Sequence, residues 1–175
     1  MRANRRLLAG AAVAAFVGVA GAAIAERPPG AMVVTAGFLA AVTVASMTDL
    51  AERRIPNALT YPGVVVGLLI AVPGGGTALA SAALGVLISA GALGAFWAVS
   101  RGQLGLGDVK FAAFAGAVLG VQAAPLFLVA GTSLGALAAV VLLLRGHDRR
   151  STFAYGPYLA AGAAIAVLVD GPLMS

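Results

Sequence analysis

Apolar residues run in long stretches through this chain, and short clusters of charge, proline and glycine separate them. Breaking the sequence at those clusters gives seven apolar segments, which we interpret as membrane-spanning helices, with those at 57–72 and 109–124 short for a full crossing. The segments cover residues 7–25, 31–48, 57–72, 78–99, 109–124, 125–144 and 155–169. Tight connections at 26–30, 73–76 and 120–125 predict helical hairpins. The pattern therefore predicts an all-α, polytopic transmembrane helical bundle of about seven spans (six to seven).

The first apolar segment has two interpretations. Arg2, Arg5 and Arg6 precede it, as the basic residues of a secretory signal peptide would, and the small residues at 23–25 resemble a cleavage site. The apolar run is nevertheless about 20 residues long, and further apolar segments follow, which favours a retained helix. We therefore divide the chain into an N-terminal helix with its connection, residues 1–30, and a transmembrane core, residues 31–175.

Composition and charge agree with a membrane protein. Hydrophobic residues make up 61% of the 175 residues and charged residues 10%, too apolar a mixture for a soluble core of this size. The absence of cysteine excludes disulfides, thiol chemistry and cysteine-based zinc sites. The net charge of +5 comes from basic residues between the apolar segments, so it is a topology signal and not a nucleic-acid site. With the N-terminus in the cytoplasm, every Lys and Arg except Arg27 falls inside.

This orientation predicts a multi-pass protein of the inner (cytoplasmic) membrane with Asp49 and Asp108 on its cytoplasmic face, in two different loops. Carboxylates at the edge of a bilayer are costly unless they are used. Segment 109–124 would reach only about 24 Å across a hydrocarbon core of about 30 Å, so Asp108 is expected slightly below the membrane surface. Gly105 and Gly107 leave the backbone open where a substrate strand could approach.

Two neighbouring carboxylates provide the chemistry of an aspartic peptidase. They do not both ionise readily, so one keeps a proton while the other acts as a base on water. The protonated member donates a hydrogen bond to the developing oxyanion, and neither a metal nor a cofactor is required.

Simpler interpretations of the same residues stay open. Asp108 before a helix is typical of an N-cap, and Asp49 with Glu52, Arg53 and Arg54 could be a solvated loop with local ion pairs. Lys110 could be a positive-inside residue that extends toward the interface. A non-enzymatic assembly or transport subunit, with the aspartates as caps or as a proton relay, is the alternative function.

Three sequence motifs, taken together, resemble the type IV prepilin peptidase family, polytopic aspartic peptidases that share a G-x-G-D element. The first runs from Thr48-Asp49-Leu50 through Ile55-Pro56-Asn57 to Thr60, the second is G-L-G-D-V-K at 105–110, and the third is Y-G-P-Y-L-A at 155–160. Their order and spacing fit the family across roughly residues 31–169. The G-x-G-D element alone is a weak signal, and the upstream D-x5-I-P-N element makes it a strong one.

The resemblance implies a catalytic pair, Asp49 and Asp108, that cuts the basic leader from prepilin or pseudopilin substrates at the cytoplasmic membrane face. It implies that the hydrophobic helix of the substrate lies in the bilayer. Glu52 and Lys110 are candidates for orienting the site or the substrate. Presenilin-like peptidases also use G-x-G-D, but they place tyrosine before the first aspartate, where this chain has Thr48, and carry a Pro-Ala-Leu that it lacks.

Two departures from the family pattern refine the expectation. Larger members carry a cytoplasmic domain with paired cysteines and also methylate the new N-terminus, whereas this chain has no cysteine and no large loop. It is similar to the short, peptidase-only members of tight-adherence pilus systems, so we expect no N-methyltransferase activity. Ala154 stands where the family often has proline, which bears on how the last helix is supported.

The sequence also allows a homodimer. Pairs of the G-x-x-x-G type, such as Gly63 and Gly67, permit close packing between helices in lipid. With 24 glycines in the chain, about as many such pairs arise by chance, so they only permit close helix packing and do not choose a partner.

Overall fold

The computed structural model describes residues 29–100, 104–145 and 154–170, and within these ranges all regular structure is helical. In chain order the helices are α1 (Pro29–Glu52), α2 (Asn57–Ala71), α3 (Gly75–Val99), α4 (Leu106–Leu144) and α5 (Gly156–Asp170), with a short 3-10 turn (Val72–Gly74) between α2 and α3. The predicted helical segment at 7–25 and the arginines before it lie outside the described residues.

Three stretches are long and apolar enough to cross a membrane: Pro29–Glu52, Asn57–Val99 and Leu106–Leu144. Helix α5 is apolar but shorter. Large apolar side chains such as Val33, Leu87 and Leu144 are exposed on the outside of the bundle, where lipid rather than water would receive them. The described part is thus an all-α, integral membrane protein, and the seven-span count for the whole chain stays a prediction.

Helix α1 is longer than the apolar pattern predicted. The segment was expected to end at Thr48, but the helix continues to Glu52, so Asp49 lies in the last turns of a helix and not in a loop. No helix-breaking residue occurs before Ile55, which is disfavoured in a helix because Pro56 follows it. Arg53, with φ 54°, ends the helix, and its N–H still donates to Asp49 O at 2.8 Å.

Helix α4 is broken at Gly120, the first residue of the predicted connection 120–125. Gly120 has φ 70° and ψ −178°, a combination that essentially only glycine adopts. The predicted boundary between residues 124 and 125 was wrong, because the reversal needs this glycine conformation and Pro125 is accommodated inside the second half. Ser81 Oγ accepts the N–H of Val121 at 3.1 Å and donates to Gln122 Oε1 at 3.1 Å, so the broken backbone keeps a partner in an apolar setting.

The second half of α4, residues 121–144, turns back along the bundle. A straight helix would carry Gly135 about 40 Å from Asp108. Instead, the ring of Tyr155 fills the space beside Gly135, and the same tyrosine lies within electrostatic range of Asp108. Gly131 packs against Leu159 one turn further along α5. The chain after Gly120 therefore returns to the aspartate end, antiparallel to α5.

The first half of α4, residues 106–119, occupies the centre of the bundle. Phe111 is fully buried there, and Phe114 packs edge-on against Phe38 of α1 with ring centroids 5.4 Å apart. On the α3 side, Gly85 and Gly116 touch through their backbones, so neither position has room for a Cβ. Helices α2, α3 and α5 pack against α4, and α1 packs against α5.

Replacing Gly120 with alanine should destabilise the fold. An L side chain in this conformation is strained, so we expect the free energy of unfolding to fall by about 1–3 kcal/mol. Gly91→Ala is the matched control, because a Cβ there meets nothing within 4 Å. Denaturant unfolding of the purified proteins in one detergent would measure both. Equal stability of the Gly120→Ala variant and the wild type would contradict the assigned conformation.

Candidate active site

Asp49 is held by the start of α5. The backbone N–H of Gly156 donates a hydrogen bond to Asp49 Oδ2 at 2.8 Å, and Asp49 as a whole is only 6% exposed. A buried carboxylate without a donor is costly, so this bond explains how Asp49 is tolerated inside the bundle. The contact joins the last turns of α1 to the first residue of α5.

Asp108 lies in the first turn of α4 and is 7% exposed. The N-cap position belongs to Gly105, not to Asp108, so the simple N-cap interpretation of Asp108 was wrong. Asp108 N–H donates to Gly105 O at 3.1 Å, and the Asp108 carboxylate takes a backbone hydrogen bond from Gly105 in return. This reciprocal arrangement, together with the helix dipole, favours a carboxylate at this position.

The two carboxylates are neighbours at one end of the bundle. Asp49 and Asp108 come from different helices, yet they are close enough for the charge of Asp49 to act on Asp108. Tyr155 is half-buried beside them. Burial, and secondarily the negative charge of Asp108, raise the pKa of Tyr155 to about 12, so its hydroxyl keeps its proton at neutral pH. The site therefore combines two enclosed carboxylates with a neutral phenol.

The two glycines of G-L-G-D have separate neighbours. A Cβ on Gly105 would lie 3.1 Å from Asp108 Oδ2, and a Cβ on Gly107 would lie 3.3 Å from Ile55 Cβ. Gly105 therefore leaves room for the Asp108 carboxylate, and Gly107 lets the buried Ile55 of the α1–α2 turn approach α4. Approach of a substrate strand at these glycines stays a prediction.

Comparison with known protein families agrees with this geometry. The model of the family described as Type IV leader peptidase family matches residues 36–140, which include both aspartates and the G-L-G-D element. The chain belongs to the Type IV leader peptidase family. The resemblance inferred from the three motifs is thereby confirmed.

Curated relatives of this Type IV leader peptidase family member are named prepilin leader peptidase/N-methyltransferase. The protein of Aeromonas hydrophila is 35% identical over 147 residues, which cover 80% of this chain and 51% of the relative. The protein of Burkholderia pseudomallei strain K96243 is 32% identical over 162 residues, covering 87% and 52%. The chain spans about half the length of the curated relatives it matches. No solved structure matches it significantly.

The remaining predicted site residues of this leader peptidase family member lie at the edge of the aspartate pair. Glu52 is exposed in the last turn of α1. Lys110 Nζ donates to Asn57 Oδ1 at 3.0 Å and so points at α2 rather than at Asp108. Their roles toward substrate stay predictions.

Sequence reasoning assigned no site role to Tyr155 or Gly156, although it noted their motif. The available signal was a glycine immediately before Pro157 at the start of the last apolar segment. That signal predicts a helix start, but it does not reveal that the glycine N–H meets a carboxylate far away in sequence. Within the described ranges, no group of three or more His, Cys, Asp or Glu side chains converges as metal ligands would.

Gly156→Ala should weaken the fold through Asp49 specifically. A Cβ on Gly156 would lie 2.8 Å from Asp49 Oδ2 and 3.0 Å from Asp49 Cβ, so the carboxylate must move. We expect a loss of about 1–3 kcal/mol in the free energy of unfolding. In an Asp49→Ala background the added methyl has room, so the penalty should shrink and the two changes should be non-additive.

The measurement is denaturant unfolding of the two single variants, the double variant and the wild type. Gly37→Ala serves as the control, since a Cβ there meets nothing within 4 Å. Additive effects of Gly156→Ala and Asp49→Ala would contradict the contact.

Proposed function

We propose that this chain is a membrane-embedded aspartic endopeptidase that removes the basic leader peptide from type IV prepilins or pseudopilins. The observation that carries the proposal is the meeting of Asp49 and Asp108, both buried and each with a backbone donor, at one end of an apolar bundle. Membership of the Type IV leader peptidase family supports the same substrate class. Hydrolysis would use the two carboxylates without a metal or a cofactor.

The reaction follows from the pairing of the carboxylates. One ionised carboxylate takes a proton from a water molecule as that water attacks the scissile carbonyl carbon. The protonated partner donates a hydrogen bond to the carbonyl oxygen as negative charge develops there. Collapse of the tetrahedral intermediate breaks the C–N bond, and the leaving amine takes the proton held by the catalytic pair. The enclosed site strengthens these electrostatic interactions, because little water screens them.

The charge distribution supports a cytoplasmic active site in the inner membrane. The basic residues of the described ranges are Arg53, Arg54, Lys110 and Arg145. Each lies next to a helix end at the aspartate end of the bundle, as Arg145 does because the second half of α4 returns there. Basic residues are enriched on the cytoplasmic side of membrane proteins. A substrate whose basic leader stays in the cytoplasm would then present its leader junction at this depth.

We also propose that the activity of this chain is proteolysis alone. The chain contains no cysteine, whereas the larger family members that it resembles and that also methylate carry a domain with paired cysteines.

Either Asp49→Asn or Asp108→Asn should abolish leader cleavage. Each change removes a carboxyl group that the mechanism needs for proton transfer, so we expect at least a ~10²–10⁴-fold loss. The measurement is co-expression with a candidate prepilin, followed by the mass shift of its leader, at matched membrane abundance of the enzyme. Asp170→Asn is the matched control, because it makes the same chemical change at an exposed residue at the end of α5.

Normal cleavage by both aspartate variants would overturn the peptidase proposal. That result would favour the alternative function, a non-enzymatic assembly or transport subunit. Loss of the variants from the membrane, with normal abundance of Asp170→Asn, would favour that structural role as well.

The cleaved product should carry an unmodified N-terminus. Mass spectrometry of the mature pilin, produced in cells that lack other prepilin peptidases, would show the mass of the new N-terminal peptide. A peptide heavier by one methyl group would contradict proteolysis as the only activity, while leaving the aspartic mechanism untouched.

A further inference from the structure

Lys110 lies two residues after Asp108, yet its side chain contacts a different helix. Its ammonium donates to Asn57 Oδ1 at 3.0 Å and lies 5.0 Å from the ring centroid of Tyr61. Residues two apart in a helix are separated by about 200° around its axis, so they face nearly opposite sides. Asp108 is directed toward Asp49 and Tyr155, whereas Lys110 is directed toward α2.

The position of Lys110 needs such partners. It lies near the N-terminus of α4, where the helix dipole disfavours a cation. The amide oxygen of Asn57 and the face of the Tyr61 ring both present negative partial charge to the ammonium. The three side chains, Lys110, Asn57 and Tyr61, form what we call the Lys110 clamp.

Helix α2 is tied to α4 at its start by two contacts. Asn57 and Tyr61 are four residues apart, so they share one face of α2 and both reach the ammonium. The preceding turn contributes Ile55, which is buried against Gly107. The N-cap residue Pro56 offers no side-chain cap, so the clamp supplies a side-chain contact where the helix end itself has none.

The chain and these contacts together form a closed ring around the site. The chain runs from Asp49 through the turn at 53–56 to Asn57, crosses to Lys110 by the hydrogen bond, and returns to Asp108 within the first turns of α4. Because the hydrogen bond between Lys110 and Asn57 closes this ring, it limits how far the end of α1 and the start of α4 can separate. Since Asp49 lies at the end of α1 and Asp108 at the start of α4, the distance between the two carboxylates depends on the positions of those helix ends.

We propose that Lys110 is a positioning residue that, through Asn57 and Tyr61, holds Asp49 and Asp108 at their working separation. The proposal rests on the proposed peptidase function. It assigns the lysine to the enzyme's own geometry and not to the substrate leader. The consequence is that kcat depends on the clamp, while KM for the prepilin does not.

The first experiment measures cleavage of a purified prepilin by detergent-solubilised full-length enzyme. Lys110→Met should lower kcat by about tenfold with KM unchanged, because small misplacement of reacting groups slows the chemical step. Lys110→Arg keeps the charge and a donor, and Tyr61→Phe keeps the aromatic face, so both should stay within about threefold of wild type. Tyr61→Leu should fall with Lys110→Met.

An exchange of the two polar partners gives the sharpest comparison. Asn57→Lys alone places two ammonium groups together, and Lys110→Asn alone removes the cation, so each should be slow. The double variant restores a donor and an acceptor in reversed positions, and we expect it to recover most of the lost kcat. Additive losses in the double variant would overturn the clamp.

The second experiment reads the geometry without activity. The chain has no cysteine, so Arg54→Cys and Leu106→Cys introduce the sole attachment sites for a pair of spin labels. Both positions are exposed; residue 54 lies just after α1, and residue 106 is the first residue of α4. The distance distribution from pulsed electron spin resonance should broaden or lengthen with Lys110→Met and stay narrow with Lys110→Arg.

The outcomes separate this proposal from the proposed function. Unchanged kcat and an unchanged distance distribution in Lys110→Met would overturn the clamp, even if Asp49→Asn and Asp108→Asn are inactive. A raised KM with unchanged kcat would also overturn it, because that result places Lys110 against the substrate. A broadened distribution with normal cleavage by the aspartate variants would support the clamp and refute the peptidase.

Discussion

A carboxylate inside an apolar bundle needs a hydrogen-bond donor, and the described fold depends on how that donor reaches Asp49. The donor is the backbone N–H of Gly156, at the start of a helix far along the chain. Helix α5 arrives there because α4 reverses at Gly120 and its second half leads back to the aspartate end. The reversal in turn is tolerated because Ser81 receives the N–H that the break exposes. The hydrogen bond of one buried carboxyl group thus depends on three separate parts of the chain.

Much of this fold follows from local sequence. The apolar runs predicted helices in each described part of the chain, and the D-x5-I-P-N and G-L-G-D elements singled out Asp49 and Asp108 as the carboxylates to consider. These predictions succeed because helix periodicity, apolar length and the scarcity of carboxylates in lipid are properties of neighbouring residues. Type IV leader peptidase family membership rests on the same short motifs and on the comparison over residues 36–140.

The remaining features depend on contacts between distant residues. The turn at Gly120 was expected somewhere in 120–125, but only the positive φ fixes it at Gly120. The role of Gly156 requires knowing that α5 meets α1, and the direction of Lys110 requires knowing that α2 lies beside α4. Asp49 was expected in a loop because Thr48 ends the apolar run, although nothing in the next residues breaks a helix. Polarity marks where lipid ends, and a helix can continue past that point.

Both carboxylates receive their donors from the main chain, Asp49 from Gly156 and Asp108 from Gly105. A main-chain N–H is present whichever residue other than proline occupies a position, so these two hydrogen bonds do not depend on the chemical identity of the donor's side chain. What the two glycines contribute is space for the carboxylates. The constraint that these two hydrogen bonds place on positions 105 and 156 is therefore one of volume, whereas the proposed spacing of the helices that carry the carboxylates depends on the side chains of the Lys110 clamp.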